Sequence, residues 1–239
     1  LSYCTYLANA AVPALGALAI TAALLHRFFH ADLVATEQSA GNSPAASDRV
    51  LLITSLITLL AIVAANLLGA SLALSALAGA ALVLMFARRR AESLLAQVDW
   101  SVLLFFAGLF VLVAALQQTG LPAEWLASIP VPDSQTDAAA GTTSLTLVLL
   151  LGSQVVSNVP LILLLEPWIR SLPDATFAWT VTALVSTLAG NLTLLGSVAN
   201  IIVIERAQER VGFFEYLKVG VVVTTFSTAF AVGSLLLLR

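Results

Sequence analysis

Three asparagines stand in surroundings where an amide is costly. Asn158 lies in a charge-free run over residues 138–165, and Asn191 and Asn200 lie in another over 175–204. An unpaired amide in hydrocarbon costs about 2–7 kcal/mol, and asparagine and glycine are poor helix formers. Two short polar stretches therefore interrupt apolar helix: "SNVP" (Ser157–Pro160) and "GNLTLLGSVAN" (Gly190–Asn200). Their chemistry is coordination. A helix that restarts after each break, from about Leu161 and about Val198, presents free N–H groups and a positive dipole end, which attract anions and polar oxyacids. Unwound carbonyls and the amide oxygens of Asn158, Asn191 and Asn200 can hold a small cation such as Na⁺. Gly190 and Gly196 allow the backbone to turn sharply and approach a ligand. The sequence offers no nucleophile–base pair and no cluster of metal ligands. Bond-making chemistry is not expected, and no cofactor is implied beyond Na⁺ or H⁺ as a coupling ion.

Packing is the competing use of such residues, because glycine, serine and asparagine also join membrane helices. Two motifs, each at the centre of an apolar run, favour a site, since irregular backbone at membrane depth survives only where it is buried or lines a watery cavity. Other polar residues read as ordinary. His26 and His30 are spaced i, i+4 at a helix end and suit the interface, Asn66 suits a turn, and Asp99 suits a cap. No carboxylate sits mid-span, so a proton relay through Asp or Glu has no visible support.

The elements that position these motifs are membrane helices. The chain of 239 residues is 60% hydrophobic and 10% charged, with a mean hydropathy of +1.01. A soluble domain would be about 25% charged, so the chain is expected to be an all-α integral membrane protein whose first partner is the lipid bilayer. Nothing points to nucleic acid. Cys4 is the single cysteine, which excludes a disulfide framework. Leu1 is not an initiator methionine and no basic segment precedes the first apolar run, so the chain is expected to begin partway through a longer one.

With about 20 apolar residues needed per crossing, the pattern divides as follows. Residues 1–30 hold a first helix, and 31–49 a polar cytoplasmic linker. Residues 50–239 hold spans at 50–68, 71–87 and 101–117, an interrupted pair at 143–170, a broken helix at 175–207 and a final span at 217–238. The stretch 91–100 reads as a short interfacial helix leading into the span at 101. Pro160 ends the first arm of the interrupted pair, because proline disfavours helix at the residue before it. Neither arm spans alone. The pair is either one kinked crossing or a re-entrant hairpin, and charge distinguishes the two. With a hairpin, Arg27, Arg49, Arg88, Arg89, Arg90, Arg206, Arg210 and Lys218 share one side, eight of the ten basic residues. The positive-inside rule then favours the hairpin and puts the C-terminus outside. Residues 1–20 also align with 211–230, with Tyr6 over Tyr216 and Leu7 over Leu217. The two copies would run in opposite directions, as inverted repeats do; residues 1–30 would then close a first repeat whose remainder is missing from this chain.

In order, "VDWSVLLFFAGLF" (Val98–Phe110), "SNVPLILLLEP" (Ser157–Pro167) and "AGNLTLLGSVANIIVIE" (Ala189–Glu205) resemble the ion transporter superfamily. Within it they are similar to the arsenite-permease-like branch, which includes bacterial anion permeases and plant silicic-acid exporters, and to citrate-transporter-like proteins. The resemblance implies an inverted-repeat secondary transporter in which each repeat carries a re-entrant hairpin and a broken helix. Its hairpin tip falls on Ser157, Asn158, Val159 and Pro160, and its broken-helix loop on Gly190, Asn191, Thr193, Gly196, Ser197 and Asn200. Sodium-coupled dicarboxylate members carry Ser-Asn-Thr at the tip; Ser-Asn-Val-Pro here points toward the arsenite-like branch. The function so implied is ion-coupled transport of a small anion or oxyacid by alternating access in a bacterial inner membrane, with the missing repeat completing the site and a homodimer as an open form. The rival readings are a Na⁺/H⁺ antiporter of the same superfamily and a membrane subunit that only packs against partners.

Overall fold

The computed structural model describes residues 3–39, 49–86, 92, 95, 96, 98–127, 138–207 and 211–238. Helices account for the ordered elements and no strand occurs among the described residues. In chain order they are α1 (Tyr3–Ser39), α2 (Arg49–Leu67), α3 (Leu72–Phe86), α4 (Trp100–Gln118), α5 (Leu121–Ala127), α6 (Ala138–Val156), α7 (Asn158–Ser171), α8 (Ala175–Ala189), α9 (Val198–Ala207) and α10 (Phe213–Leu237), with a 3₁₀ turn at Leu194–Gly196. Among the described residues four helical segments are long and apolar enough to cross a membrane: Tyr6–His30, Trp100–Gln118, Ala139–Val156 and Phe213–Leu237. The third is the first arm of the interrupted pair, expected to be too short to cross alone; its helix starts earlier than 143, at Ala138. Large apolar side chains such as Leu104 and Val111 are exposed on α4, as a surface solvated by lipid allows. The protein is an all-α integral membrane protein.

The chain forms two compact units, one made of Ser2–Tyr6 and Asp32–Phe106, the other chiefly of Leu7–Ala31 and Ala107–Arg239. In the first, α2 and α3 pack as a pair. Gly69, with φ +90°, closes the turn between them: its N–H bonds to the Asn66 carbonyl at 3.0 Å and Ala70 N–H to the Ala65 carbonyl at 2.9 Å, a glycine-based helix stop. Gly79 of α3 lies against Ile62 and Thr58 of α2, where an added Cβ would come within 2.5 Å of Ile62 Cδ1. Helix α1 extends through Ser39, with non-helical dihedrals at Phe29 (φ −112°, ψ 15°). It thus takes in residues 31–39 of the expected linker, whose alanine, leucine and glutamate are good helix formers; residues 40–48 lie outside the described set. So do Arg88–Arg90 and residues 91, 93, 94 and 97 of the expected interfacial helix at 91–100.

The second unit holds both polar motifs. Its core is α8, nine of whose fifteen residues are buried, including Val181, Val185 and Leu188. It packs against α6, α7 and α10, with Leu149 of α6 and Ile169 of α7 fully enclosed. Asp174 starts α8 by accepting the Phe177 N–H at 3.0 Å, the expected N-cap. On α10, Ala231 and Val232 join the same core, as does Ala17 of α1.

Candidate functional site

The first break is one residue long. Ser157 alone separates α6 from α7, and it adopts φ 66°, ψ 162°. For a side chain bearing a Cβ this region costs about 1–3 kcal/mol and recurs at functional sites. The chain folds back there: Gly152 and Leu161 are nine residues apart, yet a Cβ on Gly152 would lie 2.9 Å from either Leu161 methyl carbon. Proline is not what stops the helix. Pro160 sits inside the first turn of α7, which begins at Asn158 rather than at Leu161, because a first-turn N–H has no intrahelical partner to lose. The Asn158 Oδ1 accepts the Val159 N–H at 2.9 Å and lies 3.5 Å from the Ser157 hydroxyl.

The second break runs from Gly190 to Ser197, between α8 and α9, and is held in shape from within. Asn200 Nδ2 donates to the Gly190 carbonyl at 2.7 Å and to the Thr193 carbonyl at 3.3 Å. Gly196 N–H bonds to the Thr193 carbonyl at 3.1 Å, and the Ser197 hydroxyl accepts the Ala199 N–H at 3.3 Å, capping α9. The two loop glycines serve another purpose than the expected one. Neither has a positive φ, so neither turns the chain in a way other residues cannot. They are small because protein lies against them: a Cβ on Gly190 would meet Ser197 Cβ at 3.1 Å, and one on Gly196 would meet Gln154 Oε1 at 2.6 Å.

Gln154 ties α6 to the second motif, and sequence reasoning missed it. Its Nε2 donates to the Ala189 carbonyl at 3.0 Å, at the last residue of α8. Its Oε1 accepts the Thr193 hydroxyl at 2.7 Å. The same Nε2 lies 3.0 Å from the Leu150 carbonyl and 2.9 Å from the Ser153 hydroxyl. Among the described residues no hydrogen bond joins the tip residues Ser157, Asn158, Val159 and Pro160 directly to the loop.

On its other side the loop lies against α10. A Cβ on Gly220 would be 2.6 Å from the Asn191 carbonyl oxygen and in collision with that of Leu192. The Asn191 side chain makes no hydrogen bond among the described residues. It borders a cavity of about 330 Å³ together with Thr21 and Leu25 of α1 and Glu215, Tyr216 and Gly220 of α10, at the small end of the range of ligand pockets. Of the ten expected site residues, Gly190, Thr193, Gly196, Ser197 and Asn200 thus form one bonded or close-packed cluster. Asn191 lines a cavity, and the four tip residues lie beyond Gln154.

A family model described as "Citrate transporter" matches residues 2–189, ending at the last residue of α8. Over 158 residues the chain is 37% identical to "Putative transporter arsB" of Dictyostelium discoideum, covering 64% of this chain and 28% of that protein. It is 40% identical over 151 residues to "Silicon efflux transporter LSI3" of Oryza sativa subsp. japonica, covering 60% and 31%. A "46 kDa membrane protein" of Mycobacterium leprae is 30% identical over 237 residues, 89% of this chain and 54% of that one. The chain therefore spans between 28% and 54% of the length of these relatives. No solved structure matches it.

Proposed function

Since the chain belongs to the citrate transporter family, we propose that it forms one part of a secondary active transporter for a small anion or oxyacid, such as arsenite, silicic acid or citrate. The loop from Gly190 to Ser197 is one wall of the binding site, and elements outside this chain complete it. α6 and α7 act as a re-entrant hairpin that carries the Ser157–Pro160 tip to membrane depth. Transport proceeds by alternating access and draws on a proton or sodium gradient, with the carbonyls of the loop and the amide oxygens of Asn158 and Asn191 as the candidate ion ligands.

The observation that carries this reading is the contrast between Asn191 and Asn200. Asn200 spends its amide on two loop carbonyls, as a packing residue does. Asn191, in the same loop, lines a cavity and makes no side-chain hydrogen bond among the described residues. Its amide is half-buried, so it is free to bond a ligand in the cavity. The relatives named for silicon efflux and for arsB support the substrate class.

The test is flux in proteoliposomes that hold the natural protein carrying this chain, wild type against Asn191→Ala. Labelled arsenite, silicic acid, phosphate, sulfate, citrate and sodium are compared under imposed proton and sodium gradients. Flux of one anion or oxyacid, lost in the variant while folded protein is retained, is the expected result. Sodium–proton exchange alone would replace this reading with an antiporter. No flux of any solute would reject transport.

A further inference from the structure

We propose that Gln154 is the positioning residue of the substrate loop: its carboxamide fixes the distance between the end of α8 and the 3₁₀ turn, and so sets where Asn191 stands. The inference rests on the transport reading above but is drawn from a residue outside both motifs.

The geometry is specific. A single side chain on α6 meets the loop at its start, middle and end. It donates to the Ala189 carbonyl at 3.0 Å, accepts from the Thr193 hydroxyl at 2.7 Å, and packs its Oε1 against Gly196, where a Cβ would stand 2.6 Å away. Asn191 lies between the first two of these anchors. The partners are 35 and 39 residues distant in sequence, so the contact is tertiary and joins the hairpin pair to the broken helix. Both polar ends of the carboxamide are used, and they are used in opposite senses. Ala189 offers only an acceptor, so the group facing it must donate. Thr193 donates here, so the group facing it must accept. Glutamine meets both demands at every pH. A neutral carboxylic acid also does, with its O–H toward Ala189 and its C=O toward Thr193. An ionised carboxylate does not, because it has no donor and would face a carbonyl oxygen.

That asymmetry supplies a test that a merely structural role would not satisfy. Gln154→Glu is compared with wild type in proteoliposomes across about pH 5 to pH 8, a range in which a partly buried carboxyl titrates. The quantity read is the ratio of variant to wild-type flux at each pH, which removes the pH dependence of the coupling gradient. In parallel, hydrogen exchange of the backbone amides of residues 190–197 is read as variant against wild type, with no substrate present. The expected result is a flux ratio near one at the acid end that falls by about tenfold at the alkaline end, the scale of one lost hydrogen bond. Loop exchange rises over the same range. The loss appears first as a raised KM, since the loop is displaced before the fold is lost. Gln154→Leu, similar in size but unable to bond, is low in flux at every pH.

A flux ratio that does not vary with pH, whether high or low, overturns the proposal. If wild type carries no flux of any solute, the transport reading falls, and the exchange profile then decides alone: pH-dependent loosening of residues 190–197 in Gln154→Glu upholds the anchoring role, and unchanged exchange rejects it.

Discussion

The carbonyl oxygen of Leu192 rests directly on the α-carbon of Gly220, with no room for a methyl group between them. This is the contact by which α10 supports the broken-helix loop, and backbone lies on both sides of it. Backbone cannot swing aside as a side chain can, so strain introduced here passes into the loop.

Gly220→Ala should therefore destabilise the protein by about 1–3 kcal/mol, the usual cost of overpacking. Because the displaced groups are the carbonyls of Asn191 and Leu192, flux should fall further than stability alone accounts for. Thermal unfolding of detergent-solubilised protein measures the first effect and proteoliposome flux the second. A variant with normal stability and normal flux would show that the contact is loose.

Asn200 and Asn191 should separate stability from transport. Asn200→Ala leaves the Gly190 and Thr193 carbonyls without their shared donor, at a cost of about 1–3 kcal/mol. Asn191→Ala removes a side chain that bonds to nothing among the described residues and lines the cavity. It should unfold at the wild-type temperature and lose flux. Unfolding curves for the two variants, run side by side, decide the matter; equal destabilisation would make both of them packing residues.

Ser157 should tolerate glycine and reject valine. Its φ of 66° with ψ 162° is open to a residue without a Cβ, whereas a β-branched side chain is the worst fit. Ser157→Gly is expected to be no less stable than wild type, and Ser157→Val to lose roughly 1–3 kcal/mol. The glycine variant also removes the hydroxyl beside Asn158, so reduced flux at full stability would mark that hydroxyl as a ligand group.

Much of the fold class was legible because composition in a membrane protein is so constrained. Apolar runs give helices, and clustered Asn and Gly give breaks, since both residues are poor in helix interiors. The detail inside the breaks was less legible, for physical reasons. Pro160 looks like a helix terminator, but proline is also at home in a first turn, and only the dihedrals of Ser157 show that the break precedes it. Gly190 and Gly196 look like conformational hinges, yet their φ values are ordinary and their smallness answers neighbours brought close by tertiary packing. Gln154 carries no local signal at all. It sits within an otherwise regular helix, and its partners Ala189 and Thr193 become neighbours only once α6 has packed on α8.

The burial of nine of the fifteen residues of α8 has a consequence for how the protein is made. At fifteen residues the helix is about 22 Å long, shorter than the roughly 30 Å hydrocarbon layer. It also carries the buried hydroxyls of Thr180, Thr182 and Ser186. Such a segment is a poor candidate for release into lipid by itself. When it leaves the ribosome, α6 and α7 have already been synthesised and α10 has not, so only part of its final surroundings exists. α8 is therefore expected to stay beside the earlier helices until α10 is made and packs on it. A chain truncated before α10 is expected to leave the buried face of α8 only partly covered.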